Sequence, residues 1–340
     1  YADIYDSLSE AGVIEGSAGN SAGGTRKVAS VTAEMLVPVV KGLEFTLAGR
    51  FEKYSDYGND FAPKLSVRWQ PARNVTIRGS AGTGFRAPSL PVITQKTTFS
   101  AESVLDPATC RLFGGEGSIL TPITAGLTPA NDCDVAKLVQ VDSFTGANPL
   151  LKSEKSKQFA FGAVWDATDF LSIKADYYNI KIRDAITLID SQDLIDRSNG
   201  ASSLPIPAGL GVTRNAAGAI DRVQQGWANE GTVHAQGIDL DFTGKWKLDR
   251  VGNFSHNLRY SHVLKYSIND DEQKGTLGLP KYRATLTNGW NLGPVALAWN
   301  MNVIGKNGTA SGRIASTYFT NDIQLAYTTP WKGKLTVGVV

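Results

Sequence analysis

Between Phe254 and Ile268 the chain alternates with a period of two for fifteen residues. One side carries Phe254, His256, Leu258, Tyr260, His262, Leu264, Tyr266 and Ile268, the other Ser255, Asn257, Arg259, Ser261, Val263, Lys265 and Ser267. Successive side chains of a β-strand point to opposite faces, so this pattern predicts a long strand with one apolar and one wet face. The same split recurs as Phe159, Phe161, Ala163 and Trp165 against Gln158, Ala160 and Gly162. It appears again as Leu65, Val67 and Trp69 against Ser66, Arg68 and Gln70, and as Ile238, Leu240 and Phe242 against Asp239 and Asp241. A polar face bearing Arg68, Arg78, Asp176, Asp239, Asp241 and Arg259 cannot be the packed interior of a small barrel, because burying unpaired charge is costly. It suits a hydrated lumen, or one filled by a polar plug.

About twelve such strands are expected. The first eight run over 26–40, 43–57, 62–70, 74–83, 155–167, 170–187, 220–246 and 254–268, and the last four over 281–292, 295–304, 314–328 and 334–340. A bulge is expected near Ala235–Gly237, where the alternation slips. The connections alternate in length: tight turns at one end of the sheet, and loops of up to about seventy residues at the other, the short join at 58–61 excepted. A soluble sandwich would mix long and short loops at both ends, whereas an up-and-down antiparallel transmembrane barrel keeps short turns on one rim and long loops on the other. Trp69, Trp165, Trp246, Trp290, Tyr327 and Trp331 gather beside the tight turns, where an interfacial aromatic girdle would sit. The expected fold is therefore all-β, a partial barrel with long loops on one rim.

Composition agrees: 35 glycines among 340 residues supply tight turns, and no apolar run approaches the length of a membrane helix. A net charge of +2, with no basic stripe interleaved with stacking aromatics, gives no argument for nucleic acid. The chain opens at Tyr1 without a signal segment, so its true start is expected to have been removed by processing or truncation. Cys110 and Cys133 share one long loop and read as a loop disulfide rather than a metal site, which points to an oxidising compartment.

No catalytic constellation stands out, and neither a cofactor nor a metal is expected. His234, His256 and His262 lack clustered ligands. The run Gly79–Gly84 lacks the Lys-Ser/Thr ending of a phosphate loop, and Asn269–Glu272 reads as a solvated acidic loop.

The segment Gly84-Phe85-Arg86-Ala87-Pro88-Ser89-Leu90 ends one strand and opens the long irregular stretch. It resembles the Gly-Phe-Arg-Ala-Pro signature of the TonB-dependent outer-membrane receptors. Downstream, Asn148-Pro149-Leu150-Leu151-Lys152-Ser153-Glu154-Lys155-Ser156 resembles the family's Asn-Pro-x-Leu-x-Pro-Glu-x-Ser segment, with Ser153 in place of proline. Asp176-Tyr177-Tyr178, Trp227-Ala228-Asn229, Gly237-Ile238-Asp239-Leu240, Pro280-Lys281-Tyr282-Arg283 and Leu335-Thr336-Val337-Gly338-Val339 continue the family's order.

The resemblance covers about residues 26–340 and implies the C-terminal part of a 22-stranded barrel. A plug domain would precede it and a final strand would follow, with 1–25 a loop or strand remnant and 84–154 an outer loop. It implies a bacterial outer-membrane receptor that catalyses no covalent reaction and imports a scarce nutrient, such as a ferric siderophore. The TonB–ExbB–ExbD complex would drive uptake through the N-terminal region, and the lumen charges would face the plug. Tyr57, Arg86, Arg111, Phe113 and Arg222 would offer aromatic and guanidinium contacts to an anionic or catecholate-like ligand. A passive porin-like channel and a soluble or surface-attached β protein are the alternatives.

Overall fold

The computed structural model describes residues 2–4, 17–18, 21–112, 138–308 and 312–339, with the backbone alone at 2–4, 17–18, Arg111 and Leu112. Strands of four or more residues are β1 (Val28–Val40), β2 (Leu43–Tyr54), β3 (Gly58–Ala72), β4 (Val75–Arg86), β5 (Thr98–Val104), β6 (Val139–Gly146), β7 (Glu154–Thr168) and β8 (Leu171–Ile189). There follow β9 (Gly211–Arg214), β10 (Ile220–Leu248), β11 (Gly252–Ile268), β12 (Tyr282–Leu292), β13 (Val295–Ile304), β14 (Tyr318–Thr328) and β15 (Lys334–Val339). Among the described residues three helices interrupt them: α1 (Leu90–Thr94), α2 (Pro107–Leu112) and α3 (Ser191–Ser198).

Twelve strands form one antiparallel meander in the order β1, β2, β3, β4, β7, β8, β10, β11, β12, β13, β14, β15. The sheet is open, because no pairing among the described residues joins β1 to β15. Most of its strands exceed the roughly 9–11 residues of a membrane crossing, and β10 runs for 29 residues. Pro38, which cannot donate to a ladder, lies on the edge strand β1, where a missing donor costs least. The tight turn after β1 needs Gly42: its φ is +83°, and a Cβ there would meet the Gln70 carbonyl oxygen at 2.7 Å.

Among the described residues the wall has no buried apolar layer of its own. Phe51, Leu65, Trp69, Phe159, Phe161, Trp165, Ile323 and Leu325 are all exposed on the apolar face, as befits a surface whose solvent is lipid. Ring contacts run along this face beside the tight turns, from Phe170 to Trp246 at 5.9 Å and from Phe254 to Trp290 at 6.5 Å.

The buried apolar cluster lies instead at the long-loop rim. It joins Val104, Cys110, Val139, Val141, Ile189, Leu194, Ile195, Ile220, Val223 and Ala228. Two stretches expected to be irregular supply most of it. The segment after Arg86 folds into α1, the hairpin β5–β6 and α2, and 190–219 folds into α3 and a strand, β9, that pairs with the outer part of β10. β6 also pairs with β10, in parallel. Burial of alternate residues such as Val139, Val141 and Ser143 explains why these segments form strands. Strand β4 continues to Arg86, three residues past the expected end, and Ile314–Ala315 is a separate short bridge ahead of β14. Of the first 25 residues, Ala2–Ile4 pair with Ala22–Gly24 and Ser17–Ala18 with Phe99–Ser100. Residues 5–16, 19 and 20 of this loop or strand remnant lie outside the described residues.

The expected bulge sits on the other strand. Gln236 pairs with Lys265 and Gly237 with Val263, so the extra residue is Leu264 of β11. A bulge inverts the faces beyond it. Tyr266 and Ile268, opposite Ala235 and Val233, leave the apolar face, while Lys265 and Ser267 join it. Alternation alone conceals this, because the residues on either side of Leu264 still alternate in name.

Candidate functional site

The polar face gathers its charges into cross-strand rows. Arg68 pairs in register with Arg78, Arg78 with Gly162, Gly162 with Asp176, Asp176 with Asp239, and Asp239 with Ser261. Gly162 is the gap in this row. Across it the Arg78 guanidinium reaches Asp176, with Nε donating to Oδ1 at 3.0 Å and Nη2 to Oδ2 at 2.6 Å. A Cβ on Gly162 would fall 1.9 Å from Asp176 Oδ1, so only glycine leaves room for the crossing pair. Ser261 donates to Asp239, and Asn257 and Thr243 donate to Asp241 at 3.0 and 2.9 Å, with Arg259 3.6 Å away. Arg68 lies 3.5 Å from Glu44. The rows thus form a hydrogen-bonding wall whose charges are paired yet accessible.

At the outer rim the sequence signatures acquire a structural meaning. Arg86 and Glu154 stand opposite each other in register and form a bidentate pair, with both N···O distances 2.6 Å. Glu154 is buried and also accepts from the Ile186 N–H at 2.8 Å, so one carboxylate ties β4, β7 and β8. Asn148 donates to the Trp227 carbonyl at 2.7 Å and accepts from the Leu150 N–H. Asn229 bonds both the N–H and the C=O of Lys152, and donates to the Asp184 carbonyl. The Gly-Phe-Arg-Ala-Pro, Asn-Pro-x-Leu and Trp-Ala-Asn stretches are therefore parts of one knot binding four strands at the loop end.

Beside it, Tyr57 donates to buried Asp60 at 2.7 Å, and Asp60 is also paired with Lys155. Burial pushes the Tyr57 phenol up, and the neighbouring Tyr54 adds to this. Arg26 sits over the rings of Tyr54 and Tyr57, binds Asp56 and donates to the Pro88 carbonyl at 2.7 Å. Tyr57 and Arg86 thus share one rim neighbourhood, linked through Asp60, Lys155 and Glu154, but both are engaged in internal pairs. Arg222 stands apart on outer β10, its guanidinium 3.9 Å over the Phe144 ring and donating to Gln224 at 2.8 Å. The Arg111 side chain and Phe113 lie outside the described residues. Cys110 is fully buried and is not a free thiol; Cys133 lies outside them too.

Two buried ion-pair nodes in the outer assembly went unread in the sequence. Asp106, fully buried, accepts from Arg214 twice at 2.9 Å, from the Thr109 N–H at 3.0 Å and from Asn199 at 3.1 Å. Burial by itself would raise its carboxyl, but the bonds from Arg214, Thr109 and Asn199 together hold it well below the usual carboxylate range. The signal was present in Asp106-Pro107, an N-cap followed by proline at the first helical position. Arg197, its side chain 2% exposed, binds Asp193 of its own helix and Glu230 of β10 at 2.8 and 2.9 Å. Among the described residues no group of His, Cys, Asp and Glu is arranged to hold a metal, and no helix is long and apolar enough to cross a membrane.

Comparison with known proteins places this architecture. Among solved structures, a mutant of the ferric enterobactin receptor PfeA from Pseudomonas aeruginosa superposes with a TM-score of 0.61 at 16% identity, over 92% of this chain and 39% of that one. The siderophore receptor PirA from Acinetobacter baumannii gives 0.59 at 13% identity, over 89% and 40%. The iron transporter FrpB from Neisseria meningitidis gives 0.54 at 11%, over 92% and 40%. The chain thus spans about two fifths of the length of the structures it matches, and the likeness at these identities is one of fold. No curated protein matches the sequence. The family model described as TonB dependent receptor-like, beta-barrel matches residues 1–340. The chain belongs to that family, whose members are transport receptors of the bacterial outer membrane rather than enzymes.

Proposed function

We propose that this chain forms part of the wall of an outer-membrane receptor for energised uptake of a scarce, bulky nutrient, with a ferric siderophore as the cargo. The observation that carries this reading is the two-faced wall, apolar outside and lined with paired but accessible charges inside, beneath a folded outer assembly. The siderophore and iron receptors among its structural neighbours support that class of cargo.

In this reading Arg68, Arg78, Asp176, Asp239, Asp241 and Arg259 face the lumen and hydrogen-bond a plug domain. The TonB–ExbB–ExbD complex supplies the energy that rearranges the plug. Residues 84–154 form an outer loop, closed by a Cys110–Cys133 disulfide that peptide mapping without reductant would detect; two free thiols there would remove it. Tyr57, Arg86, Arg111, Phe113 and Arg222 contact ligand, Tyr57 and Arg86 from a rim that they also hold together through Asp60 and Glu154.

Whole cells carrying the intact protein are expected to accumulate labelled ferric siderophore only while TonB and the proton gradient are functional. Equal uptake in de-energised cells would replace the receptor with a passive channel.

A further inference from the structure

On the apolar face, just outside the membrane band, the ladder register lines up a row of cations. Lys157 of β7 stands opposite Lys181 of β8, Lys181 opposite His234 of β10, and the neighbouring β10 residue on that face, Gln236, stands opposite Lys265 of β11. That these residues share the face of Phe159 and Tyr177 follows from a chain of contacts. The Phe159 and Tyr177 rings lie 6.5 Å apart, Asn179 donates to the Tyr177 hydroxyl, and His234 bonds Asn179 at 3.2 Å and Gln236 at 2.7 Å. Lys181 and Lys265 both act electrostatically on His234, opposed by Asp270 and Glu272 of the segment after β11. Lys265 faces this way only because of the bulge at Leu264.

Neighbouring strands lie about 4.8 Å apart, so the row is roughly 14 Å wide. Like charges directly opposite each other in a sheet are destabilising, and Lys157, Lys181 and Lys265 have no ion pair or hydrogen bond among the described residues. The acid within reach of Lys265 is Glu272, which is shared with Lys274 at 3.8 Å. The opposite end of the same face, with Trp165, Ile173, Trp246 and Phe254, has no lysine or arginine on these four strands. A one-sided row of unpaired cations, continuous with a lipid-facing band, needs anions that sit at the membrane surface.

We propose that Lys157, Lys181, His234 and Lys265 form a binding row for the phosphate groups of an acylated glycolipid in the outer leaflet, with Asn179 and Gln236 as neutral partners. The lipid's acyl chains would lie along Phe159, Tyr177 and Ile238 while its phosphates neutralise the row. This extends the outer-membrane placement and does not depend on the nature of the cargo.

The test uses the intact protein in phosphatidylcholine nanodiscs, with bisphosphorylated lipid A as the probe and bound lipid counted by native mass spectrometry. Each lysine at an anionic lipid surface contributes about fivefold, so the triple variant Lys157→Ala, Lys181→Ala, Lys265→Ala is expected to weaken retention on the order of a hundredfold. The arginine triple at the same positions should keep it. Three results would overturn the proposal: an alanine triple that binds as the parent does, dephosphorylated lipid A retained as well as the bisphosphorylated form, or displacement by millimolar inorganic phosphate. The last two comparisons need only the parent protein, so a folding defect in the variant leaves the test intact.

Discussion

Replacing Asp106 with alanine is expected to unfold the outer assembly while leaving the wall in place. The side chain is fully buried and receives five hydrogen bonds, two of them from Arg214, whose own side chain is 24% exposed. Removing the carboxylate strands a partly buried guanidinium and frees the first turn of α2 from its cap. Breaking one partner of such a pair costs about 3–5 kcal/mol, a large fraction of what holds a small subdomain together. Hydrogen exchange should show protection lost in β5, β6, β9 and α3 and retained in β11 to β14; unchanged protection in the outer strands would contradict the assignment.

The same node sets a pH dependence. Its carboxyl is held below its ordinary value of 3.8, so the folded state binds that proton less readily than the unfolded state. Its contribution is therefore complete above about pH 4–5 and is lost as the pH falls through 3.8 toward the lower native value. Acid should loosen the outer assembly first, and the Asp106→Asn variant should lack this phase.

Glu154→Ala has the second large expected effect. It removes both bonds to Arg86 and the acceptor of the Ile186 N–H at the point where β4, β7 and β8 separate. Arg86 is 76% exposed and regains water, so the loss comes chiefly from the orphaned N–H and the missing strand tie, about 2–3 kcal/mol. Glu154→Gln, which keeps an acceptor for Ile186 but no charge, should lose about half of that. Thermal unfolding in detergent would rank the two; equal stability of alanine variant and parent would show that the signature pair does not hold the rim.

What the sequence made legible was what repeats. Alternation along β3, β7, β10 and β11 revealed the two faces, and the tight turns fixed the meander and the sidedness of its loops. The signature residues could be recognised but their role could not, because Arg86 and Glu154 are 68 positions apart and only the β4–β7 register brings them together. Arg86 could be read as a ligand contact from its place at the rim; the register adds its partner, Glu154. The strands and helices within 84–154 and 188–219 escaped notice because they are short and are stabilised by burial against one another, not by local pattern. Asp106-Pro107 and the Asp190 cap of α3 were the local signals available. The bulge at Leu264 was displaced to the wrong strand because a one-residue insertion on either partner gives the same slip in pairing.

The two-faced wall is tested most directly on β11 of the intact protein in outer membranes, with a spin label placed in turn at each position from 254 to 268. Accessibility to oxygen, which partitions into lipid, should peak at Leu258, Tyr260 and His262. Accessibility to a water-soluble nickel chelate should peak at Asn257, Arg259 and Ser261, and the phase should invert beyond Leu264, with Lys265 on the outer face and Tyr266 inside. Equal access of the nickel chelate to both faces would contradict a membrane wall, and an uninterrupted alternation through Ile268 would contradict the bulge on which the outward placement of Lys265 depends.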